Sequence, residues 1–375
     1  MKNKAMLMSL LGVLLALTSC RDLTLDPVFF ALEKEQPLED DRGFPDAAIV
    51  HRIVKTGTRY FAAANKLYSR TDGASDKWTV VSPPPSLTNA MCNTLEVLGT
   101  DIYAGFFDRI SGAGLGLWSA PGTVPVVWTE VADGDVNNVE IVMIRDVGGE
   151  LFVSTRASNV NALCHGDGTS FSAVSWEVAN PPPADIPITD VARDPIGPNY
   201  WVAVGPYLYR DTGADFLGTF DRYNESGAIT DAPVSGGSNT FGGLFTSVNT
   251  LYVAANNGML FSTADGGGTW ASSALIEVDD DPVPFTAFAE PTLSDGGAVY
   301  VGTKTYGYYR IPGGVVTGTP VRSPAYNISA LYNGAINCLL YDGSVSPARL
   351  FLCTSSTGLW RGDHVSGSEW SWKQE

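Results

Sequence analysis

Four acidic residues lie close together in the sequence, at Glu277, Asp279, Asp280 and Asp281. Carboxylate oxygens are ligands that Ca²⁺ prefers, so a run of this kind can hold calcium. The spacing does not match the EF-hand loop, however, and an acidic run is also the ordinary composition of a solvated connector. The four residues are therefore a weak calcium candidate, and we predict no metal site and no cofactor.

Other residue types that do chemistry are few or wrongly spaced. The three histidines, His51, His165 and His364, are far apart and show none of the spacings of a zinc site. The sequence has no Gly-x-Ser-x-Gly motif of a nucleophilic serine and no glycine-rich loop that would open a helix at a phosphate. We therefore predict no catalytic residue.

One string of residues, 309–312 (Tyr-Arg-Ile-Pro), resembles the arginine motif of sialidases. In that family the arginine grips a substrate carboxylate, and two further arginines come from later parts of the domain. Here Arg322, Arg349 and Arg361 are the arginines that follow. The repeat pattern described below places Arg310 at the end of a third strand, so we predict a strand residue. A glycan-processing hydrolase or lyase stays open as the enzyme alternative.

A second short motif, Arg361-Gly362-Asp363, is the integrin-binding tripeptide. It suggests a host-contacting adhesin as a third alternative. The repeat pattern offers a structural explanation, with Arg361 ending a strand and Gly362-Asp363 beginning its turn.

An apolar-aromatic doublet recurs seven times along the chain, each time after an apolar, β-rich run. Its second residue falls at positions 68, 118, 164, 209, 261, 309 and 360, so the copies are 45–52 residues apart. Another apolar run precedes each copy, and most copies are followed by a run that begins with Trp or Phe. Four short strands in a repeat of this length are typical of a β-propeller blade. We predict an all-β fold, a seven-bladed β-propeller with four antiparallel strands per blade.

The blades are expected at about 47–82, 91–131, 139–175, 187–220, 241–275, 284–321 and 336–375. Each blade takes its four strands from one continuous stretch. Propeller rings are usually closed by one blade that takes strands from both chain ends. Here the two chain ends are not expected to share a blade.

One repeat carries a sharper motif, consisting of Ser262, Asp265, Gly267, Thr269 and Trp270. It resembles the Asp-box, or BNR-like, turn. The resemblance implies that the aspartate accepts hydrogen bonds from turn amides, that the glycine takes a tight backbone position, and that the tryptophan packs between blades. Asp-boxes stabilise turns and are not catalytic.

Four cysteines follow residue 20, and two of them suggest a pair. If Tyr341 pairs with Leu350 across a hairpin, the same antiparallel register pairs Cys338 with Cys353. A disulfide and two packed thiols both fit this arrangement. Cys164 occupies the aromatic place of its doublet and is predicted to be a core residue. The state of Cys92 stays open.

The first residues look like an export signal. Lys2 and Lys4 precede an apolar stretch that ends at Leu17-Thr18-Ser19-Cys20, which resembles the lipobox of bacterial lipoproteins. The resemblance implies removal of residues 1–19 and diacylation of Cys20, which anchors a protein stably. Residues 20–46 would then form a tether, whose residues 28–30 (Val-Phe-Phe) we expect to pack on the ring and brace the first and last blades. Arg21 favours the outer membrane of the cell envelope.

Charge narrows the range of partners. The chain carries 23 basic and 40 acidic residues and a net charge of −17, which becomes −19 without residues 1–19. Nucleic acids bind basic surfaces, so a nucleic-acid partner is excluded. We predict a monomeric, non-enzymatic scaffold that binds a protein, peptide or glycan at one face of the propeller, with the membrane contacted through lipid.

Overall fold

The computed structural model describes residues 44, 49–73, 77–211, 213, 218–224, 232–234, 236, 240–247, 249–289, 296–318, 320–322, 331 and 334–375. The predicted signal segment, Cys20 and nearly all of the 20–46 tether lie outside these residues. Within them, no helix combines the length and apolar character needed to cross a membrane.

Seven four-stranded antiparallel sheets follow one another along the chain, and we number them blades I to VII. Blades I and II are formed by β1 Arg52–Thr56, β2 Arg59–Ala64, β3 Lys66–Thr71, β4 Thr79–Val81 (blade I) and β5 Ala90–Leu98, β6 Asp101–Asp108, β7 Gly114–Pro121, β8 Thr129–Glu130 (blade II). Blades III and IV are formed by β9 Glu140–Asp146, β10 Leu151–Ala157, β11 Val160–Gly166, β12 Phe171–Ala173 (blade III) and β13 Ile188–Arg193, β14 Tyr200–Val204, β15 Tyr207–Asp211, β16 Phe220–Arg222 (blade IV).

The remaining strands are β17 Phe241–Ser247, β18 Thr250–Ala255, β19 Leu260–Thr263, β20 Ala271–Ser272 (blade V); the hairpin β21 Glu277–Val278, β22 Asp281–Pro282; β23 Phe285–Ala289, β24 Val299–Thr303, β25 Tyr308–Ile311, β26 Val321–Arg322 (blade VI); and β27 Ile336–Asp342, β28 Arg349–Thr354, β29 Leu359–Ser366, β30 Glu369–Gln374 (blade VII). The predicted seven-bladed β-propeller with four strands per blade is confirmed.

The core lies between the blades rather than in the centre of the ring. The second strands β14 and β24, which read YWVAV and VYVGT, are buried at every position. A strand in the middle of a blade has a neighbouring blade on each face, so both sets of alternating side chains leave water. This explains why these strands are continuous apolar runs instead of alternating ones.

The first strand of most blades carries a β-bulge that connects it to the next blade. A register shift interrupts the pairing of the first and second strands in blades II to VII. In four of them the bulged residue donates a side-chain hydrogen bond to a carbonyl of the following blade. The bonds are Asn93 to Ile141 O (2.9 Å), Thr189 to Phe241 O (3.0 Å), Thr286 to Ile336 O (2.7 Å) and Asn337 to Val50 O (2.9 Å).

The equivalent position in blade V is Gly242. A Cβ atom there would lie 2.1 Å from Phe285 O, so the backbones of blades V and VI approach too closely for any side chain. Glycine is therefore required by the packing of two blades.

Blades VII and I meet at a seam that no strand crosses, as the contiguous repeats predicted. Val50 N donates to Thr354 O at 3.0 Å, and Asn337 donates to Val50 O. The ring is thus closed by loop backbone and side chains.

A buried carboxylate cross-links this seam. The side chain of Glu375 in blade VII is 8% exposed and forms ion pairs with Arg361 of its own blade (2.8 Å) and with Arg70 of blade I. Trp78 Nε1 of blade I donates to the same carboxylate at 2.9 Å.

A second buried carboxylate, Asp342, joins the same seam. Asp342 of blade VII accepts hydrogen bonds from Lys55 Nζ (2.7 Å) and Tyr60 of blade I. Arg349 of blade VII donates to the Asp72 carbonyl at 2.7 Å. Both buried carboxylates therefore bind the first and last blades together through charged hydrogen bonds.

One residue of the predicted tether is described. Phe44 is 2% exposed, and its ring centroid lies 4.6 Å from that of Tyr68 and 5.3 Å from that of Trp78, both in blade I. The brace expected from residues 28–30 lies outside the described residues.

Candidate functional site: the mouth of the central channel

A cavity of about 840 Å³ opens where the first strands of the seven blades surround the axis of the ring. Every blade contributes to its wall. One residue from each blade in turn is Arg52, Glu96, Arg145, Asp190, Leu244, Ala287 and Cys338.

The wall formed by blades I to IV is charged. Arg52 forms an ion pair with Glu96 across blades I and II, and Arg145 Nε lies 2.7 Å from Asp190 Oδ1 across blades III and IV. Asp190 also accepts a hydrogen bond from Leu244 N of blade V at 3.0 Å. The charges of Arg52, Glu96, Arg145 and Asp190 are therefore each compensated by a neighbouring blade.

Arg52 keeps its charge despite its location. Burial would lower the pKa of its guanidinium, but the carboxylate of Glu96 outweighs burial and raises the pKa above its ordinary value. An arginine that is already charged and paired presents a fixed dipole to a ligand.

The wall formed by blades V to VII is apolar and aromatic. The ring of Phe245 lies 6.1 Å from Phe288 and 6.1 Å from Tyr252, in stacked geometry. Leu340 and Tyr341 of blade VII continue this surface. Both phenylalanines are half-buried, so they can cover more surface when a ligand binds.

The mouth also holds a carboxyl group, that of Asp146, whose pKa is raised. Burial raises the pKa of Asp146, a hydrogen bond from Gly149 N opposes this, and the charge of Glu96 raises it further. The two carboxylates belong to neighbouring blades III and II, and both line the cavity.

Arg310 lies away from this cavity. It is in the third strand of blade VI, where it pairs with Tyr300 of β24 and Val321 of β26. Pro312 follows in a short 3-10 turn, Pro312–Gly314. The predicted position of Arg310 in a strand is thus observed, two strands out from the channel.

The tripeptide 361–363 is not in a turn, and that prediction was wrong. Strand β29 continues to Ser366, because its hairpin with β30 extends to the pair Ser366 and Glu369. Arg361 is 8% exposed and bound to Glu375 and Asp363. An adhesin function would need another surface.

The acidic run forms a tight hairpin. Asp279 and Asp280 have φ values of 54° and 67°, as the two-residue turn between β21 and β22 requires. Within the described residues, no group of three or more His, Cys, Asp or Glu side chains could hold a metal ion. The calcium hypothesis therefore gains no support.

The turn around Asp265 has the hydrogen bonds that its motif led us to expect. Asp265 accepts from Thr269 N (2.8 Å) and Thr269 Oγ1 (2.7 Å), and the Thr269 amide bond lowers the pKa of the carboxyl. Gly267 has a φ of +93°. Trp270 packs on Trp201 of blade IV, with ring centroids 5.9 Å apart. Ser262 lies in β19, opposite Ala271.

Cys338 and Cys353 are directly paired across β27 and β28, in the register expected from Tyr341 and Leu350. Both are free, buried thiols. Cys92 and Cys164 are also free and buried, the latter at 2% exposure.

Sequence reasoning missed the charged wall of the channel. In each blade, strand pairing aligns the second residue of the doublet with one residue of the second strand and one of the first strand. In blades I to IV the aligned first-strand residues are Ile53, Leu95, Ile144 and Val191. The four charged residues are immediate sequence neighbours of these apolar positions. Aligning the first strands, and not only the third, would have found them.

No protein-family model matches the chain, and no curated protein matches it in sequence. Solved structures share its fold. YCF48 bound to D1 peptide superposes with a TM-score of 0.57 at 15% identity, over 87% of this chain and 96% of that chain.

Two other structures have longer chains. The GH74 enzyme of Niastella koreensis gives a TM-score of 0.61 at 15% identity, over 88% of this chain and 54% of that chain. The extracellular domain of the hybrid two-component system BT3049 from B. thetaiotaomicron gives 0.58 at 11%, over 85% and 39%. At these identities the similarity establishes a shared fold, and the chain is a seven-bladed β-propeller.

Proposed function

We propose that this propeller is a non-enzymatic binding module of the cell envelope that takes an extended peptide segment of a partner protein at the mouth of its channel. The observation that carries the proposal is that the cavity has two chemically different walls. Charged, paired side chains of blades I to IV face an aromatic wall of blades V to VII across one cavity.

An extended peptide fits such a wall because its side chains alternate between two sides. Apolar side chains would contact Phe245 and Phe288, while polar ones would meet the ion pairs opposite. One solved structure of similar fold is that of YCF48 bound to D1 peptide. The net charge of −17 favours a peptide that carries Lys or Arg beside its apolar residues.

The test is selection from a random peptide library against the full chain purified in detergent, followed by affinity measurement on individual peptides. Selected peptides should bind with apolar anchors flanked by basic residues. Phe245→Ser should weaken binding about tenfold, which is about 1.4 kcal/mol. Ile110→Ser is the matched control, because Ile110 is 79% exposed in the turn between β6 and β7. Equal affinity of both variants, or a library that yields no binding peptide, would overturn the proposal.

The anchor is the second part of the proposal. Cleavage before Cys20 and its acylation would hold the ring on the envelope through residues 20–46, in keeping with the resemblance of Leu17-Thr18-Ser19-Cys20 to a lipobox. Growth with an alkyne-tagged palmitate should label the wild-type chain and leave Cys20→Ser unlabelled. Separation of the membranes then tests outer-membrane placement.

The enzyme alternative has one observation in its favour. Asp146, whose pKa is raised, shares the mouth with Glu96, and glycoside hydrolysis uses an acid with a raised pKa and a second carboxylate. Glu96 is committed to Arg52, however. Hydrolysis of a glycan panel that is abolished by both Asp146→Asn and Glu96→Gln would favour the enzyme over the binding module.

A further inference from the structure

We propose that Cys338 and Cys353 form a redox-reactive dithiol that opens on the central channel and exchanges with low-molecular-weight disulfides. This chemistry is separate from peptide binding at the mouth. It depends on two thiols and the arginines around them, so either proposal can fail alone.

The two residues occupy directly opposed positions on neighbouring strands. Cys338 of β27 pairs with Cys353 of β28, and both sulfurs are thiols. Opposed cysteines of an antiparallel pair are near enough for a disulfide when their side chains share one face.

The two thiols differ in their access to the channel. Cys338 belongs to the wall of the cavity, next to Leu339 and Leu340, although it is only 2% exposed. Both cysteines belong to the apolar core between blades VII and I, but Cys353, on the second strand, does not line the cavity. This difference suits Cys338 as the reactive cysteine and Cys353 as the resolving one. The tight access restricts the reaction to small oxidants.

Charged groups around Cys338 favour its thiolate. Arg52 Nη1 of blade I lies 3.8 Å from Cys338 Sγ. Contact with the Cys353 thiol lowers the pKa of Cys338, burial opposes this, and the positive charges of Arg52 and Arg145 lower it further. Glu96 and Asp190 pair with these two arginines. Asp146 and Asp342 are further carboxylates that line the cavity, and Asp342 is bound to Lys55. Burial raises the pKa of Cys353, which therefore stays a thiol.

The other two described cysteines provide an internal control. Burial raises the pKa of Cys92 and of Cys164 to about 12 in each case. Neither residue lines the cavity. Because the thiolate is the nucleophile in exchange, these residues should be inert in the folded protein.

The reaction balances as two exchanges. The Cys338 thiolate attacks one sulfur of the small disulfide, whose S–S bond breaks and releases one thiolate. Cys353 then gives up its proton and attacks Cys338 Sγ, releasing the second half of the reagent. Two protein thiols are oxidised to one disulfide, and one external disulfide is reduced to two thiols, which take up the two protons.

The test exposes the folded full chain to bis(2-hydroxyethyl) disulfide and maps each cysteine by mass spectrometry. We expect a Cys338–Cys353 disulfide while Cys92 and Cys164 stay reduced. In Cys353→Ser the reagent should remain attached to Cys338 as a mixed disulfide. In Arg52→Gln, the pH at which iodoacetamide reaches half its maximal rate at Cys338 should rise. If Arg52→Gln does not fold, Arg145→Gln serves for the same measurement.

Three results would overturn the proposal. One is that all four thiols resist the reagent in the folded chain. Another is oxidation of Cys92 and Cys164 at the same rate as the pair, since reactivity would then come from unfolding. The third is an unchanged pH profile in both arginine variants.

Discussion

The seam between blades VII and I differs in kind from the interface between blades IV and V. At the seam, Arg70, Arg349, Arg361, Asp342 and Glu375 are all buried, with exposures between 4% and 8%. Between blades IV and V, the contact is led by aromatic rings: Trp201 lies 4.8 Å from Tyr223 and 5.9 Å from Trp270.

The difference follows from how each interface must form. Blades IV and V are adjacent in sequence, so apolar packing, with the hydrogen bonds of Thr189 and Asp190 to β17 beside it, is enough to join them. Blades VII and I are neighbours in the ring but come from opposite ends of the propeller sequence, so no short connector holds them together. Charged hydrogen bonds have strict geometry, so they select one closed arrangement, while their net contribution to stability is limited by desolvation.

The largest effect is expected from breaking the seam. Glu375→Ala would leave Arg70 and Arg361 buried without their shared carboxylate. Loss of one partner of a buried pair costs about 3–5 kcal/mol of unfolding free energy, which urea denaturation measures. Glu140→Ala is the control, because Glu140 and its partner Arg156 are 26% and 46% exposed, and it should cost about 0.2–1 kcal/mol. Equal costs would mean that the seam pairs are not special.

A smaller effect is expected at the aromatic interface. Trp270→Phe keeps a ring but removes the hydrogen bond from Nε1 to the Tyr223 hydroxyl, which is 2.6 Å long. The expected cost is about 1–2 kcal/mol, again by urea denaturation. The matched variant is Trp128→Phe, whose Nε1 bond to Ser82 O is solvent-exposed and should cost less. If Trp270→Phe costs as much as Glu375→Ala, the contrast between the interfaces fails.

The seam should also be sensitive to acid. Burial would raise the pKa of Asp342, but hydrogen bonds from Lys55, Ser344 and Tyr60 outweigh burial, so the pKa is lowered. A carboxyl with a lowered folded pKa stabilises the protein above its unfolded pKa of about 4, and this stability is lost as the pH falls through the folded pKa. Unfolding free energy measured from pH 5 to pH 2 should therefore fall less steeply in Asp342→Asn. Parallel curves for both proteins would contradict the assignment.

The smallest effect is expected in the turn of blade V. Asp265→Ala removes the hydrogen bonds that the carboxylate accepts from Thr269 N, Thr269 Oγ1 and Thr263 Oγ1, and it should cost about 1 kcal/mol. Asp167 in blade III accepts from Thr169 N (2.8 Å) and Ser170 N (3.0 Å) without an Asp-box sequence. Asp167→Ala should therefore cost about the same. A much larger cost for Asp265→Ala would show that the motif does more than hold its turn.

Much of the fold was predictable because blades repeat. The doublets at 68, 118, 164, 209, 261, 309 and 360 all lie in third strands, since each blade needs large side chains at the same depth between its neighbours. Expected and observed blade limits agree within about five residues. The hairpin that holds residues 361–363 was mispredicted because β29 is longer than the other third strands of blades IV to VI.

The channel was less predictable. Arg52, Glu96, Arg145 and Asp190 are ordinary alternating charges when each strand is taken alone. They form a charged wall only because ion pairs join residues about 45 positions apart in neighbouring blades, as in Arg52 with Glu96 and Arg145 with Asp190. The seam residues are still further apart, with Arg70 and Glu375 separated by 305 positions. No local pattern specifies such pairs.

Hydrogen–deuterium exchange of the full chain, with and without a selected peptide, tests binding at the two-sided channel most directly. The account predicts slower exchange in the first strands β17, β23 and β27, which form the aromatic wall, and no change in the outer strands β8 and β20. Protection confined to outer strands, or spread evenly over all seven blades, would contradict it.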